Sequence, residues 1–246
     1  MIMSVPSNAE DLSFAEAINK AGRQRMLTQR ITKSYCQIGL DVVPEKSRHE
    51  LEEAINLFSS QLLELERFST DKEVDMVLDD VKSHWSSFKD LALSVPSQEN
   101  VKRLTKMDEE LLLASERLVQ MLENLSGVPT SRLVNISGRQ RMLSQRLTKF
   151  YMLQLWNQGS PAMSSEIEWA TNEFRGALDT LIQAPENTII IKEKLEAAKL
   201  QWAWLNSSLN FSTDEHFPLI ILDASEKMLQ LMERVTEMYQ DVSEGN

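Results

Sequence analysis

Gly22-Arg23-Gln24-Arg25-Met26-Leu27-Thr28-Gln29-Arg30-Ile31-Thr32-Lys33 occurs a second time, as Gly138-Arg139-Gln140-Arg141-Met142-Leu143-Ser144-Gln145-Arg146-Leu147-Thr148-Lys149. The copies stand 138 − 22 = 116 residues apart and differ only at Thr28/Ser144 and Ile31/Leu147. No acidic residue lies between Glu16 and Asp41, nor between Glu123 and Glu166. Lys20, Arg23, Arg25, Arg30 and Lys33 fill the first gap; Arg132, Arg139, Arg141, Arg146 and Lys149 fill the second. Two windows of charge +5 therefore sit in a chain of formal charge −11. Cations concentrated in an otherwise acidic molecule suit a local anion site better than a general polyanion surface.

The motif reads as a helix from Asp11 to about Leu40. Advancing about 100° per residue, Leu27, Ile31, Tyr35 and Ile38 fall on one stripe, which reads as core. Gly22, Arg25, Met26, Gln29 and Lys33 fall on the opposite stripe, which must meet solvent, a partner helix or a ligand. A mid-helix glycine costs about 1 kcal/mol against alanine, so Gly22 implies close approach of a backbone or a ligand.

The bulk numbers narrow the field. A chain of 246 residues with 42% hydrophobic content can bury real cores, and its internal repeat favours two units. The acidic balance argues against nucleic acid as a partner. Cys36 is the lone cysteine, which excludes an intrachain disulfide. Met1 to Leu12 lacks a signal-peptide pattern, and no apolar stretch is long enough to span a membrane. The expectation is a soluble, cytoplasmic chain, or a periplasmic one if a signal peptide has been removed.

Outward from the motif the plan is helical throughout, with no strand pattern. Pro44 ends the first helix. A second runs from about Lys46 to Phe68, and a third carries Val74, Leu78, Val81, Trp85 and Phe88 until Pro96-Ser97. A fourth runs from about Glu99 to Leu125. Gly127 and Pro129 separate a unit of residues 1–127 from one of 128–246. In the second unit Thr130-Ser131 offers a cap, Gly159-Ser160-Pro161 ends the motif helix, and Pro185 breaks the chain again. Phe174 echoes Phe58 at the offset of 116, Trp202 answers Trp85 at 117, and Ser225-Glu226 matches Ser115-Glu116 at 110. The predicted fold is all-α: two tandem antiparallel four-helix bundles forming an internal pseudo-dimer, with the motif helices antiparallel or crossed.

Asn19 to Arg30 and Asn135 to Arg146 resemble the opening helix of the N-terminal sensor domain of type IV pilus chemotaxis transducers, a domain akin to the sensor domain of nitrate/nitrite sensor kinases. The resemblance implies a four-helix bundle for each half. It also implies that one anion is held between two bundles by a glycine backbone and an arginine of both first helices. Matched position by position, these are Gly22 and Arg25, and Gly138 and Arg141. Gln29 and Gln145 stand where the nitrate sensors have tyrosine, and Arg23 and Arg139 follow the glycines, as in the pilus-type version.

A guanidinium offers a rigid fork of donors that suits nitrate, nitrite, carboxylate or phosphate. The competing reading has these arginines in salt bridges to acidic helices of their own bundle. The repeat, the acid-free windows and the mid-helix glycine favour the anion site for Gly22, Arg25, Gly138 and Arg141. Salt bridges remain the reading for Arg23, Arg30, Arg139 and Arg146. Met26, Gln29, Met142 and Gln145 are either supporting residues or helix packing. His49, His84 and His216 lack metal-ligand spacing, and no phosphate loop or nucleophile motif occurs. Trp85, Trp156, Trp169, Trp202 and Trp204 read as core or inter-bundle anchors. The expectation is a non-enzymatic sensor without cofactor or metal. It would bind nitrate or nitrite, signal to a separate protein, and be compatible with a homodimer. The alternative is an adaptor whose motif face docks an acidic partner helix.

Overall fold

The computed structural model describes residues 12–69, 71–210 and 217–245. Met1 to Asp11 and His216 lie outside them, so the signal-peptide reading at the start, the helix start at Asp11 and the reading of His216 do too. Eight helices follow one another: α1 (Phe14–Gly39), α2 (Pro44–Phe68), α3 (Lys72–Ala92), α4 (Gln98–Ser126), α5 (Ser131–Leu155), α6 (Pro161–Ile182), α7 (Ile189–Asn210) and α8 (Phe217–Glu244). Among the described residues there is no strand, and no helix is long and apolar enough to cross a membrane.

The helix starts are written in side-chain chemistry. Ser13 and Glu16 form a reciprocal capping box at α1, and Asp71, Ser97 and Ser160 accept backbone N–H groups at α3, α4 and α6. Several residues expected to end helices begin them instead. Pro44 and Pro161 occupy the first turns of α2 and α6, where a missing N–H costs nothing, and Ser97 caps α4. The chain turns after α1 through Asp41 (φ 56°), and after α5 through Asn157 (φ 57°) at the equivalent position. Thr130 makes no capping bond; its hydroxyl meets Ser243 at 3.0 Å.

Helices α1–α4 form one bundle and α5–α8 the other. The Phe58 ring stacks on Trp85 (3.9 Å between centroids), and Phe174 stacks on Trp202 (4.0 Å) at the same place in the second core. The register of 117 set by these tryptophans continues into α4 and α8, so Glu109 and Glu116 correspond to Glu226 and Glu233. This corrects the match of Ser115-Glu116 to Ser225-Glu226. That match is off by seven residues, two helical turns, which returns to the same face and preserves the pattern. Trp156 approaches Tyr35 between the bundles (6.3 Å), but Trp169 and Trp204 are exposed at 43% and 57% and anchor no core.

The two motif helices lie side by side at the centre, each covered by its own bundle and by the other. They run in the same direction. Arg25 meets Asn135, Lys33 meets Gln145, and Gly39 meets Trp156, so partners advance together along both helices. Of the expected antiparallel or crossed arrangement, the antiparallel option is overturned by topology. Four up-and-down helices return the chain to the end where it started, and the short link after Ser126 launches α5 alongside α1. The local two-fold therefore runs along the helices. Gly39 permits this approach, since a Cβ there would overlap the Trp156 ring.

Candidate functional site: a buried arginine pair at the seam

Parallel packing of identical motifs brings Arg25 and Arg141 together. Both are fully buried. A Cβ built on Gly22 would sit 3.2 Å from Arg25 Nη2 and 3.6 Å from Arg141 Nη2; on Gly138 the corresponding distances are 3.7 and 3.1 Å. Each glycine therefore clears space for both guanidiniums at once, and the two Nη2 atoms are separated by no more than the sum of such a pair. This is the reason for a glycine in mid-helix. Any side chain there would press on a buried fork of donors.

The arginines are held by a pseudo-symmetric set of acceptors. Arg25 Nη1 donates to Glu116 of α4 (2.5 Å), and Arg141 Nη1 donates to Glu233 of α8 (2.6 Å). Arg25 Nη2 donates to Asn135 Oδ1 (2.9 Å), and Arg141 Nη2 to the Asn19 carbonyl (3.2 Å). Each carboxylate also serves an arginine of the opposite bundle: Glu116 pairs with Arg139 (3.1 Å), and Glu233 with Arg23. Salt bridges to a bundle's own fourth helix thus exist at Arg25 and Arg141, whereas the flanking arginines reach the fourth helix of the opposite bundle. Arg30 pairs with Glu226 (3.1 Å), and Arg146 with Glu109 and Glu166 (2.8 Å each).

The pair is nonetheless short of acceptors. The Nε–H groups of Arg25 and Arg141 are buried without a partner. Arg139 and Arg146 share this feature, but their guanidiniums reach the flanks of the seam. Burial lowers the pKa of Arg25, with Glu116 opposing, and lowers that of Arg141 well below the ordinary value, with Arg23 and Arg25 adding repulsion. Both remain cations, since arginine does not deprotonate in proteins. Burial would raise the Glu116 carboxyl, but Arg25 and Arg139 outweigh it and hold it below the usual range. The electrostatics are those of buried positive charge only partly compensated.

Gln29 and Gln145 do not hydrogen-bond to the arginines. They belong to a second buried polar layer one turn further along. Gln29 donates to Asp108 (2.7 Å), whose other oxygen accepts from Lys149 (2.6 Å). Across the seam Gln145 donates to Ser225 (3.1 Å) and accepts from Lys33 (2.9 Å). Met26 and Met142 are buried against the flanks, each lining a surface cleft beside the seam. Asn19, Asn135, Glu116, Glu233 and Asp108 were not singled out from sequence. The asparagines are marked by recurring three residues before each glycine, and the glutamates emerge once the offset of 117 is carried into α8.

Other candidates are structural. Cys36 is buried, which pushes its thiol pKa up. His49 pairs with Glu53 (3.2 Å) and His84 with Asp80 (3.4 Å) at the surface. Among the described residues no group of His, Cys, Asp and Glu could hold a metal ion.

Residues 7–108 match the family described as type IV pili methyl-accepting chemotaxis transducer, N-terminal. The match takes in the first motif, helices α1 to α3 and the start of α4. No curated protein and no solved structure matches the chain.

Proposed function

We propose that this protein is a non-catalytic sensor of a small planar oxyanion, nitrate or nitrite, which binds between Arg25 and Arg141 and is reported to a separate signalling protein. One observation carries the reading. Two buried guanidiniums, one from each copy of the motif, converge over two glycines, and each keeps an Nε–H without an acceptor. A compact anion supplies those acceptors and neutralises the repulsion between the pair. The choice of nitrate or nitrite follows the resemblance of the motif to that of the nitrate/nitrite sensors. The signalling role agrees with the family matched by residues 7–108. A ligand can bias the packing of the bundles only by its differential affinity for the two arrangements. The adaptor reading needs the motif face to be accessible, whereas here that face is spent on the seam.

Thermal melting in nitrate, nitrite, phosphate, acetate and chloride at matched ionic strength tests the proposal. A ligand that binds only the folded state raises the midpoint with its concentration. The expected result is a rise selective for nitrate or nitrite and lost in Arg25→Ala and Arg141→Ala. Equal small shifts for every salt would sink it.

A further inference from the structure

Apart from the two Nε–H groups, the donors that an incoming anion needs are already in use. The Nη1 end of each central arginine is taken by a carboxylate, Glu116 or Glu233. The Nη2 end faces oxygens: Asn135 presents Oδ1 and its carbonyl to Arg25, and the Asn19 carbonyl faces Arg141. The asparagine amides are fixed in that sense, because Asn19 Nδ2 donates to Gln240 (2.8 Å) and Asn135 Nδ2 to Glu123 (2.5 Å). Each Nη2 therefore already has an acceptor, and only the Nε–H of each guanidinium is left over. An oxyanion adds Nη1 of each arginine to the free Nε–H groups only by displacing the carboxylate that now holds it.

The surroundings give those carboxylates somewhere to go. Two clefts related by the local two-fold flank the seam, of about 390 and 440 Å³. One is lined by Glu116, Arg139 and Met142, the other by Glu233, Arg23 and Met26, and neither is lined by Arg25 or Arg141. Each carboxylate thus stands between a cleft and a buried arginine. Each also has a second arginine at the cleft, Arg139 or Arg23, so leaving the central guanidinium does not strand it. Four arginines share these two carboxylates, with Glu173 assisting Arg139 at 3.6 Å.

We propose that Glu116 and Glu233 are built-in competitors of the ligand, internal anions that an incoming oxyanion displaces toward the two clefts. The inference rests on the anion-sensor reading above. Its consequence is regulatory. The carboxylates set the concentration at which the site responds, and they tie α4 to Arg139 and α8 to Arg23 across the seam. Displacing them frees α4 from Arg25 and α8 from Arg141 within each bundle and shifts the carboxylates onto the ties across the seam.

Calorimetric titration with nitrate and with nitrite tests this on wild type, Glu116→Gln, Glu233→Gln, Glu116→Asp and the control Glu53→Gln, with a melt of each protein to establish folding. The glutamine variants are expected to bind about tenfold more tightly, the scale of one charge-assisted hydrogen bond. Glu116→Asp keeps the charge, shortens the reach by one methylene, and is expected to bind more tightly as well. Glu53→Gln changes the net charge equally at a surface pair with His49, away from Arg25 and Arg139, and should stay within about twofold. Unchanged or weaker binding in Glu116→Gln and Glu116→Asp, with wild type binding, overturns the competition and leaves the site standing. Absence of binding in every protein overturns the site and the competition together.

Discussion

Asp108 on α4 and Ser225 on α8 occupy one and the same position of the repeated bundle, and their difference breaks the pseudo-symmetry of the seam. Asp108 receives Gln29 and Lys149 (2.7 and 2.6 Å). Ser225 receives only Gln145, so the buried Lys33 rests on that glutamine's oxygen, with its nearest carboxylate, Glu50, at 3.7 Å. Two lysines at equivalent motif positions therefore have opposite surroundings.

Their substitutions should differ in sign. Burial first, and then Arg30, lowers the Lys33 pKa to about 8. The unfolded chain binds more protons between that value and the ordinary lysine pKa. Stability should therefore rise as pH climbs from about 8, with the penalty in full force below it. Lys33→Met is expected to stabilise the protein at pH 7 by about 1–2 kcal/mol and to flatten this rise. Lys149→Met should cost about 3–5 kcal/mol by leaving the buried Asp108 unpaired. Urea melts at pH 7 and pH 10 decide; equal effects of the two substitutions would refute the asymmetry.

Gly22→Ala and Gly138→Ala place a Cβ about where two guanidinium nitrogens converge (3.2 and 3.1 Å to the nearer one). The helix gains about 1 kcal/mol of propensity, which offsets part of the crowding, so stability should change little. Anion affinity should fall about tenfold, because the fork is displaced from its bound geometry. Full affinity in both variants would remove the glycines from the site.

Arg25→Met is expected to cost about 3 kcal/mol, because Glu116 loses a buried partner while keeping Arg139. Adding Glu116→Leu should recover much of that loss, since an apolar pair replaces a desolvated ion pair. A double-mutant cycle in denaturant measures the coupling; a value near zero would mean that the pair contributes nothing as a pair.

Gly39→Ala should destabilise by about 1–3 kcal/mol, because its Cβ would overlap the Trp156 ring where α1 and α5 approach. Trp156→Leu in the same chain should restore part of the loss. A melt in which Gly39→Ala behaves like wild type would contradict the close crossing.

Much of this architecture was legible in the chain. The eight helices follow from apolar periodicity, and the proline and serine punctuation located the breaks, although it was read as stops where the residues act as starts. Proline tolerates the first turn of a helix and serine caps it, so the same residues serve both sides of a boundary. The repeated motif singled out Gly22, Arg25, Gly138 and Arg141 because a glycine inside a helix and an acid-free cationic window are each costly without a purpose. Nothing in the sequence marks Glu116, Glu233 and Asp108 as site residues, because α4 and α8 are acidic along their length. A helical pattern shifted by two turns still matches, so no single glutamate stands out.

The sequence by itself determined the elements, the repeat and the residues that face inward, since these depend on local periodicity and on the near-identity of two segments. The tertiary structure alone decided that α1 and α5 run parallel, that both arginines share one space over two glycines, and that each already holds a carboxylate. Those facts depend on which helices become neighbours and at what register. That is settled by the closure of each bundle and the packing of the two against each other, which act between residues about 90 to 120 positions apart.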